Sequence, residues 1–163
     1  MLVRVLPVSA GKMFWSRVVT WACLLMFSGA ASQGCDKTFT SASGNIRSPG
    51  YSGAYPPNLD CTYLIQQTAG FVVRLEFYQG WWWLDKEGES CLDYIQVYDG
   101  DSETGPLLGG PYCGDTRPPA LFSTQNVVMI RFHSDNKTYY GNQGFNIGYT
   151  AIRKGQIYLY IYT

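Results

Sequence analysis

The chain has 163 residues, with 12 Lys and Arg balanced by 12 Asp and Glu, a hydrophobic content of 46% and an aromatic content of 16%. So large an apolar share with so little charge excludes a disordered chain, and the lack of a basic block excludes a nucleic-acid binder, which needs a Lys/Arg surface to displace counterions from phosphate. The 13 Tyr, eight Phe and five Trp, set among 18 Gly and eight Pro, favour short pleated segments joined by turns, in a length suited to one domain with short appendages.

Residues 1–32 read as an export signal. Arg4, Lys12 and Arg17 precede an uncharged apolar run from Val18 to Phe27, and Ala30 and Ser32 suit cleavage after Ser32. That run is too short for a spanning helix of about 20 residues but long enough for a signal core of about 7 to 15. Its removal leaves nine basic residues against 12 acidic ones, a net charge of −3, and no membrane span in the mature chain. It also takes Cys23 and leaves Cys35, Cys61, Cys91 and Cys113. An even set in an exported chain reads as a disulfide framework whose connectivity the residues leave open; no Cys-x-x-Cys pair suggests a thiolate metal site.

Beyond the signal, turn residues recur about every ten positions, from Pro49-Gly50 and Pro56-Pro57-Asn58 through Asp99-Gly100 and Gly109-Gly110 to Gly144. The segments between them, Cys61–Ile65, Phe71–Phe77, Tyr94–Tyr98, Val127–Phe132 and Phe145–Tyr149, have strand composition. Val73, Leu75 and Phe77 fall on one face and Arg74 and Glu76 on the other; Val128, Ile130 and Phe132 alternate likewise with Met129, Arg131 and His133. Such a pattern predicts an antiparallel sandwich or barrel with one buried face per strand. One domain is expected over residues 33–151, with its last strand ending at Tyr149. Residues 152–163 form a short aromatic tail, expected to be loosely attached.

Trp81-Trp82-Trp83 places its outer members on one strand face and Trp82 on the other. Tryptophan is enriched at interface hot spots, which makes Trp82 a candidate anchor for a partner. Asn136-Lys137-Thr138 is a glycan acceptor sequence. His133 is the sole histidine, and Gly100-Asp101-Ser102 lacks the companions of a serine-protease site, so no enzyme is expected.

Several motifs together resemble the CUB domain, an extracellular module of complement and tolloid-type proteases, neuropilins and cubilin. These are Gly44-Asn45-Ile46-Arg47-Ser48-Pro49-Gly50-Tyr51 with Tyr55-Pro56-Pro57-Asn58, Cys61-Thr62-Tyr63, Cys91-Leu92-Asp93-Tyr94 running to Asp99-Gly100, Tyr112-Cys113-Gly114, Phe132-His133-Ser134-Asp135, and Gly144-Phe145 with Tyr149. The resemblance implies an all-β, two-sheet antiparallel β-sandwich of jelly-roll type, with disulfides Cys35–Cys61 and Cys91–Cys113. It also implies a Ca²⁺ site at one end, with Asp85, Asp93 and Asp135 as ligands. Glu87 is the fallback for Asp85, because the loop before Cys91 is longer than usual; the Cys91-Leu92-Asp93 spacing is one residue shorter than the family's. In the same resemblance Tyr51 orients the acidic group, and Lys137 and Thr138 supply a carbonyl and a polar side chain.

The function implied is a secreted recognition module whose Ca²⁺-stabilised acidic cluster, with Trp82 nearby, accepts a Lys or Arg from an extracellular protein. The alternatives are a metal-free carbohydrate- or glycosaminoglycan-binding module and a non-catalytic spacer from a larger receptor or protease.

Overall fold

Val73, Leu75 and Phe77 are each no more than 1% exposed, while Arg74 and Glu76 between them reach the surface. This period of two, repeated along most segments, forces the chain into sheets that bury one face each. The computed structural model describes residues 34–137 and 144–156. The strands are β1 (Lys37–Phe39), β2 (Ser43–Arg47), β3 (Asp60–Gln66), β4 (Phe71–Trp83), β5 (Lys86–Glu87), β6 (Ser90–Cys91), β7 (Tyr94–Asp99), β8 (Leu107–Tyr112), β9 (Leu121–Phe122), β10 (Val127–His133) and β11 (Gly144–Arg153), followed by a 3₁₀ turn at Lys154–Gln156.

A five-stranded sheet in the order β1-β3-β10-β7-β8 faces a four-stranded sheet in the order β2-β11-β4-β9. The fold is therefore a two-sheet β-sandwich, and the small β5-β6 hairpin stands apart from both sheets. Its pairings are antiparallel except at one edge, where β1 runs parallel to β3 with Lys37 opposite Tyr63. The core between the sheets includes Ile46, Tyr63, Ile65, Val97, Ile130, Phe132, Phe145 and Ile147. Each large apolar side chain buried there contributes roughly 1.5–3 kcal/mol. Two disulfides fasten the sandwich. Cys35–Cys61 ties the lead-in to β1 onto β3, and Cys91–Cys113 ties β6 to the end of β8. Their sequence separations of 26 and 22 correspond in the chain-entropy account to roughly 3 kcal/mol each.

Two features differ from the expected pattern. The last strand does not stop at Tyr149: Ala151 pairs with Val73, Ile152 with Val72 and Arg153 with Phe71, and Ile152 is 3% exposed. Residues 152 and 153 thus belong to the sandwich, because β4 starts early enough to offer them partners. The second feature is a break in the β4-β11 ladder, where Tyr78–Trp81 lie opposite the single residue Asn146, between the pairs Phe77–Ile147 and Trp82–Phe145. Such a bulge bends the strand and re-aims the side chains that follow it. The expected export signal and residues 157–163 of the tail lie outside the described residues. Among the described residues no helix is long and apolar enough to cross a membrane.

Candidate functional site

The end of β4 is fixed by Leu84, fully buried, whose amide and carbonyl both bond Gly114 at 3.1 and 2.8 Å. This anchor delivers Asp85 to one end of the sandwich with 6% exposure. The Asp85 carbonyl then accepts the amides of Leu92 and Asp93 at 3.2 and 3.1 Å, so that the β5-β6 hairpin returns Asp93 to its side. Asp93 is fully buried just before β7. Its Oδ2 accepts the Tyr55 hydroxyl at 2.5 Å and its Oδ1 accepts the Asp135 amide at 2.7 Å. The loop after β10 is held by the Ser134 amide on the Leu59 carbonyl and the Asn58 amide on the Asp135 carbonyl. Asp135 Oδ1 accepts the Lys137 amide at 2.8 Å. Asp85, Asp93 and Asp135, spread over 50 positions of the sequence, are thus brought to one tip by three separate loops.

Electrostatics at the tip favour a cation. Burial pushes the Asp93 carboxyl above the ordinary Asp range. Its bonds from Tyr55 and the Asp135 amide oppose this, but the charges of Asp135 and Asp85 reinforce it. Tyr55 is held protonated well beyond the usual tyrosine range, first by burial and then by its bond to Asp93. Asp85 Oδ2 is buried with no hydrogen-bond partner. Among the described residues none of the three acids has an ion-pair partner. A buried carboxylate oxygen without a donor is costly unless something compensates it. Even so, no three Asp, Glu, His or Cys side chains among the described residues are drawn together closely enough to hold a metal ion as they stand.

The structure redistributes the supporting roles. Tyr51 does not reach the acids: its ring packs on Trp81 at 4.8 Å between centroids and lies under the Arg47 guanidinium at 4.5 Å. Tyr55, 3% exposed, takes the orienting role instead. The reason is local, since Ser52, with a φ of 75°, turns the chain between the two rings. Glu87 is exposed in the β5-β6 hairpin, away from the bonds that gather Asp85 and Asp93. Lys137 is exposed and contributes its backbone amide to Asp135; Thr138 lies outside the described residues.

Trp82 is not a surface anchor. It is 5% exposed and packs edge-on against Phe77 at 5.4 Å, because the bulge at Tyr78–Trp81 turns it back into the core. Trp81 and Trp83 are half-buried. Asn136 is exposed, one residue after Asp135. His133 Nδ1 bonds Asp60 Oδ1 at 2.9 Å and its ring lies on Tyr94 at 5.1 Å; Ser102 Oγ bonds Thr104 Oγ1 in a turn. Sequence reasoning missed Tyr55 and Ser134. Ser134 is 1% exposed; its Oγ accepts the Leu59 amide and donates to the Pro56 carbonyl. The signal for Ser134 was the Tyr55-Pro56-Pro57 turn, a fixed backbone whose Pro56 carbonyl needs a donor, whereas the Tyr55 hydroxyl serves the distant Asp93 and has no local signal.

Comparison with known proteins gives this geometry its context. Residues 35–149 match the sequence profile of the CUB domain. Cubilin of Rattus norvegicus is 34% identical over 129 residues, covering 79% of this chain and 3% of cubilin. Neuropilin-2 of Mus musculus is 35% identical over 127 residues, covering 76% of this chain and 13% of that protein. The chain therefore spans only a small part of these relatives. Among solved structures, the human MASP-1/3 CUB1-EGF-CUB2 region superposes with a TM-score of 0.62 at 32% identity, covering 71% of this chain and 41% of that one. The MASP-1 CUB2 domain bound to Ca²⁺ gives 0.62 at 29% identity, with coverage of 70% and 96%. The full extracellular region of zebrafish Gpr126/Adgrg6 gives 0.58 at 31% identity, covering 73% of this chain and 15% of that one. With a profile match spanning both disulfides and both sheets, this chain belongs to the CUB domain family.

Proposed function

We propose that this chain is an extracellular, non-catalytic protein-recognition module whose acidic tip holds Ca²⁺ and offers its carboxylates to a Lys or Arg of the partner. The observation that carries this reading is the partnerless, buried Oδ2 of Asp85 beside the fully buried Asp93. Oxygen donors of this hardness suit Ca²⁺ over a transition metal. Asp85, Asp93 and Asp135 would hold the ion, joined by a carbonyl from Lys137 and a polar group from Thr138. When bound, Ca²⁺ supplies positive charge that relieves the repulsion among the three acids. The chain's own part is to fix those acids through Tyr55 and Ser134, so that a partner's cation meets a surface already ordered. The Ca²⁺-bound MASP-1 CUB2 neighbour supports the ion, and the extracellular Gpr126/Adgrg6 neighbour and the two disulfides support the compartment.

Thermal unfolding in a Ca²⁺ titration tests the ion. At a hundredfold excess over Kd the gain is about 2.7 kcal/mol, a rise in Tm on the order of 10 °C for a domain of this size. Asp85→Asn and Asp93→Asn should each remove the response, and a flat midpoint in the unmodified chain rejects the ion. Retention of a Lys-containing peptide column in Ca²⁺ and its release by chelator tests the docking step; retention indifferent to chelator rejects it.

A further inference from the structure

Between β1 and β2 the two sheets leave an open cleft of ≈ 640 Å³, lined among others by Lys37, Phe39, Asn45, Arg47, Tyr51 and Tyr63. This lies within the range of ligand sites, about 300–1,000 Å³. Three independent features converge there. β1 and β2 are the outermost strands of their sheets, so each has one backbone edge with no strand partner among the described residues; such edges are templates for another extended chain. Lys37 and Arg47 are exposed and make no ion pair among the described residues. Tyr63 is 1% exposed, yet its hydroxyl is buried without a hydrogen-bond partner. A buried hydroxyl of this kind is ordinarily satisfied. One acid is near: the charge of Asp36 acts on Tyr63, but its Oδ1 is already engaged by the Thr62 amide at 2.7 Å.

We propose that this cleft is a second binding site, for an extended acidic peptide segment of a protein partner. The segment adds as a strand to the free edge of β2, its carboxylates meet Lys37 and Arg47, and the Tyr63 hydroxyl donates to it. Main-chain pairing supplies affinity and the alternate side chains supply selection. A sulfated oligosaccharide would match the two cations but could not use the strand edge, so the free edges favour a peptide. The site takes an anion where the acidic tip takes a cation, and neither depends on the other's residues.

The test is fluorescence anisotropy with the full, oxidised chain and a labelled, end-blocked hexapeptide alternating Glu and Val. Binding should weaken about tenfold or more when Gln replaces Glu in the peptide, and likewise for Lys37→Gln combined with Arg47→Gln. Methylating the peptide's backbone nitrogens should abolish it. Tyr63→Phe should weaken binding several-fold without lowering Tm, since the hydroxyl has no partner to lose in the free protein; this separates a binding role from a structural one. Equal affinity for the Gln peptide, indifference to all three substitutions, or binding of a heparin-derived tetrasaccharide with none of the peptide would overturn the proposal.

Discussion

Tyr51 and Tyr55 lie in one loop, carry the same functional group and end in opposite roles. Tyr51 uses its ring, against Trp81 and Arg47, whereas Tyr55 uses its hydroxyl, in the bond to Asp93 Oδ2. Removing each hydroxyl therefore separates them. Tyr55→Phe leaves a buried carboxylate oxygen short of a donor and should cost about 1.5–3 kcal/mol. Tyr51→Phe keeps the packing and should stay within about 0.5 kcal/mol. Urea unfolding of both variants at one fixed Ca²⁺ concentration checks this, and equal losses would show that the loop, not the acid–phenol bond, is what matters. A sequence cannot distinguish the two rings by type or pattern. What separates them is a left-handed backbone turn at Ser52, a non-glycine position with no compositional mark.

At the scale of strands, alternation was a reliable guide wherever a strand had one wet face. Val73, Leu75, Phe77, Val128, Ile130 and Phe132 are all buried at 1% or less. It failed where geometry depends on a partner far along the chain. The parallel pairing of Lys37–Phe39 with Tyr63–Ile65 involves three residues with no periodic signal. The run of β11 to Arg153 is dictated by where β4 begins. The acids Asp85, Asp93 and Asp135 could be picked out only through the family's motifs, since no spacing rule brings three loops to one tip. Trp82 shows the same limit: alternation put it opposite Trp81 and Trp83, but the bulge across Asn146 decides that its side is the inside. A core role makes a specific prediction. Trp82→Ala should cost about 3–5 kcal/mol in urea unfolding through the cavity it leaves. A surface anchor would instead leave stability nearly unchanged, so a loss below about 1 kcal/mol would return Trp82 to the surface.

Across the whole molecule, charge is sorted by place: acids crowd the tip, cations flank the β1/β2 cleft, and an ion cluster links strands on the larger sheet. In that cluster Asp60 of β3 accepts Arg131 Nη2 and His133 Nδ1 of β10, each at 2.9 Å, while Arg131 also pairs with Glu103 at 2.5 Å. The carboxyl of Asp60 sits below its ordinary value of 3.8. Partial burial acts the other way and is outweighed by the bond from His133 and the charges of His133 and Arg131. A carboxyl lowered in the folded state stabilises the fold above its unfolded pKa, and that contribution is lost as pH falls through the folded value. The Asp60 side chain is 53% exposed, so solvent screening holds the effect to no more than about 1 kcal/mol. Asp60→Asn should therefore lower stability slightly at pH 6–7, by an amount that shrinks in high salt. The loss should shrink as pH falls below 3.8 and vanish once it has passed the lowered folded value, where the two chains converge because the unmodified Asp60 is also protonated. Urea midpoints of both chains across pH 2–7, in chelator to silence the acidic tip, measure this directly; a difference that persists unchanged at pH 2 would mean that Asp60 acts through packing and not through its charge.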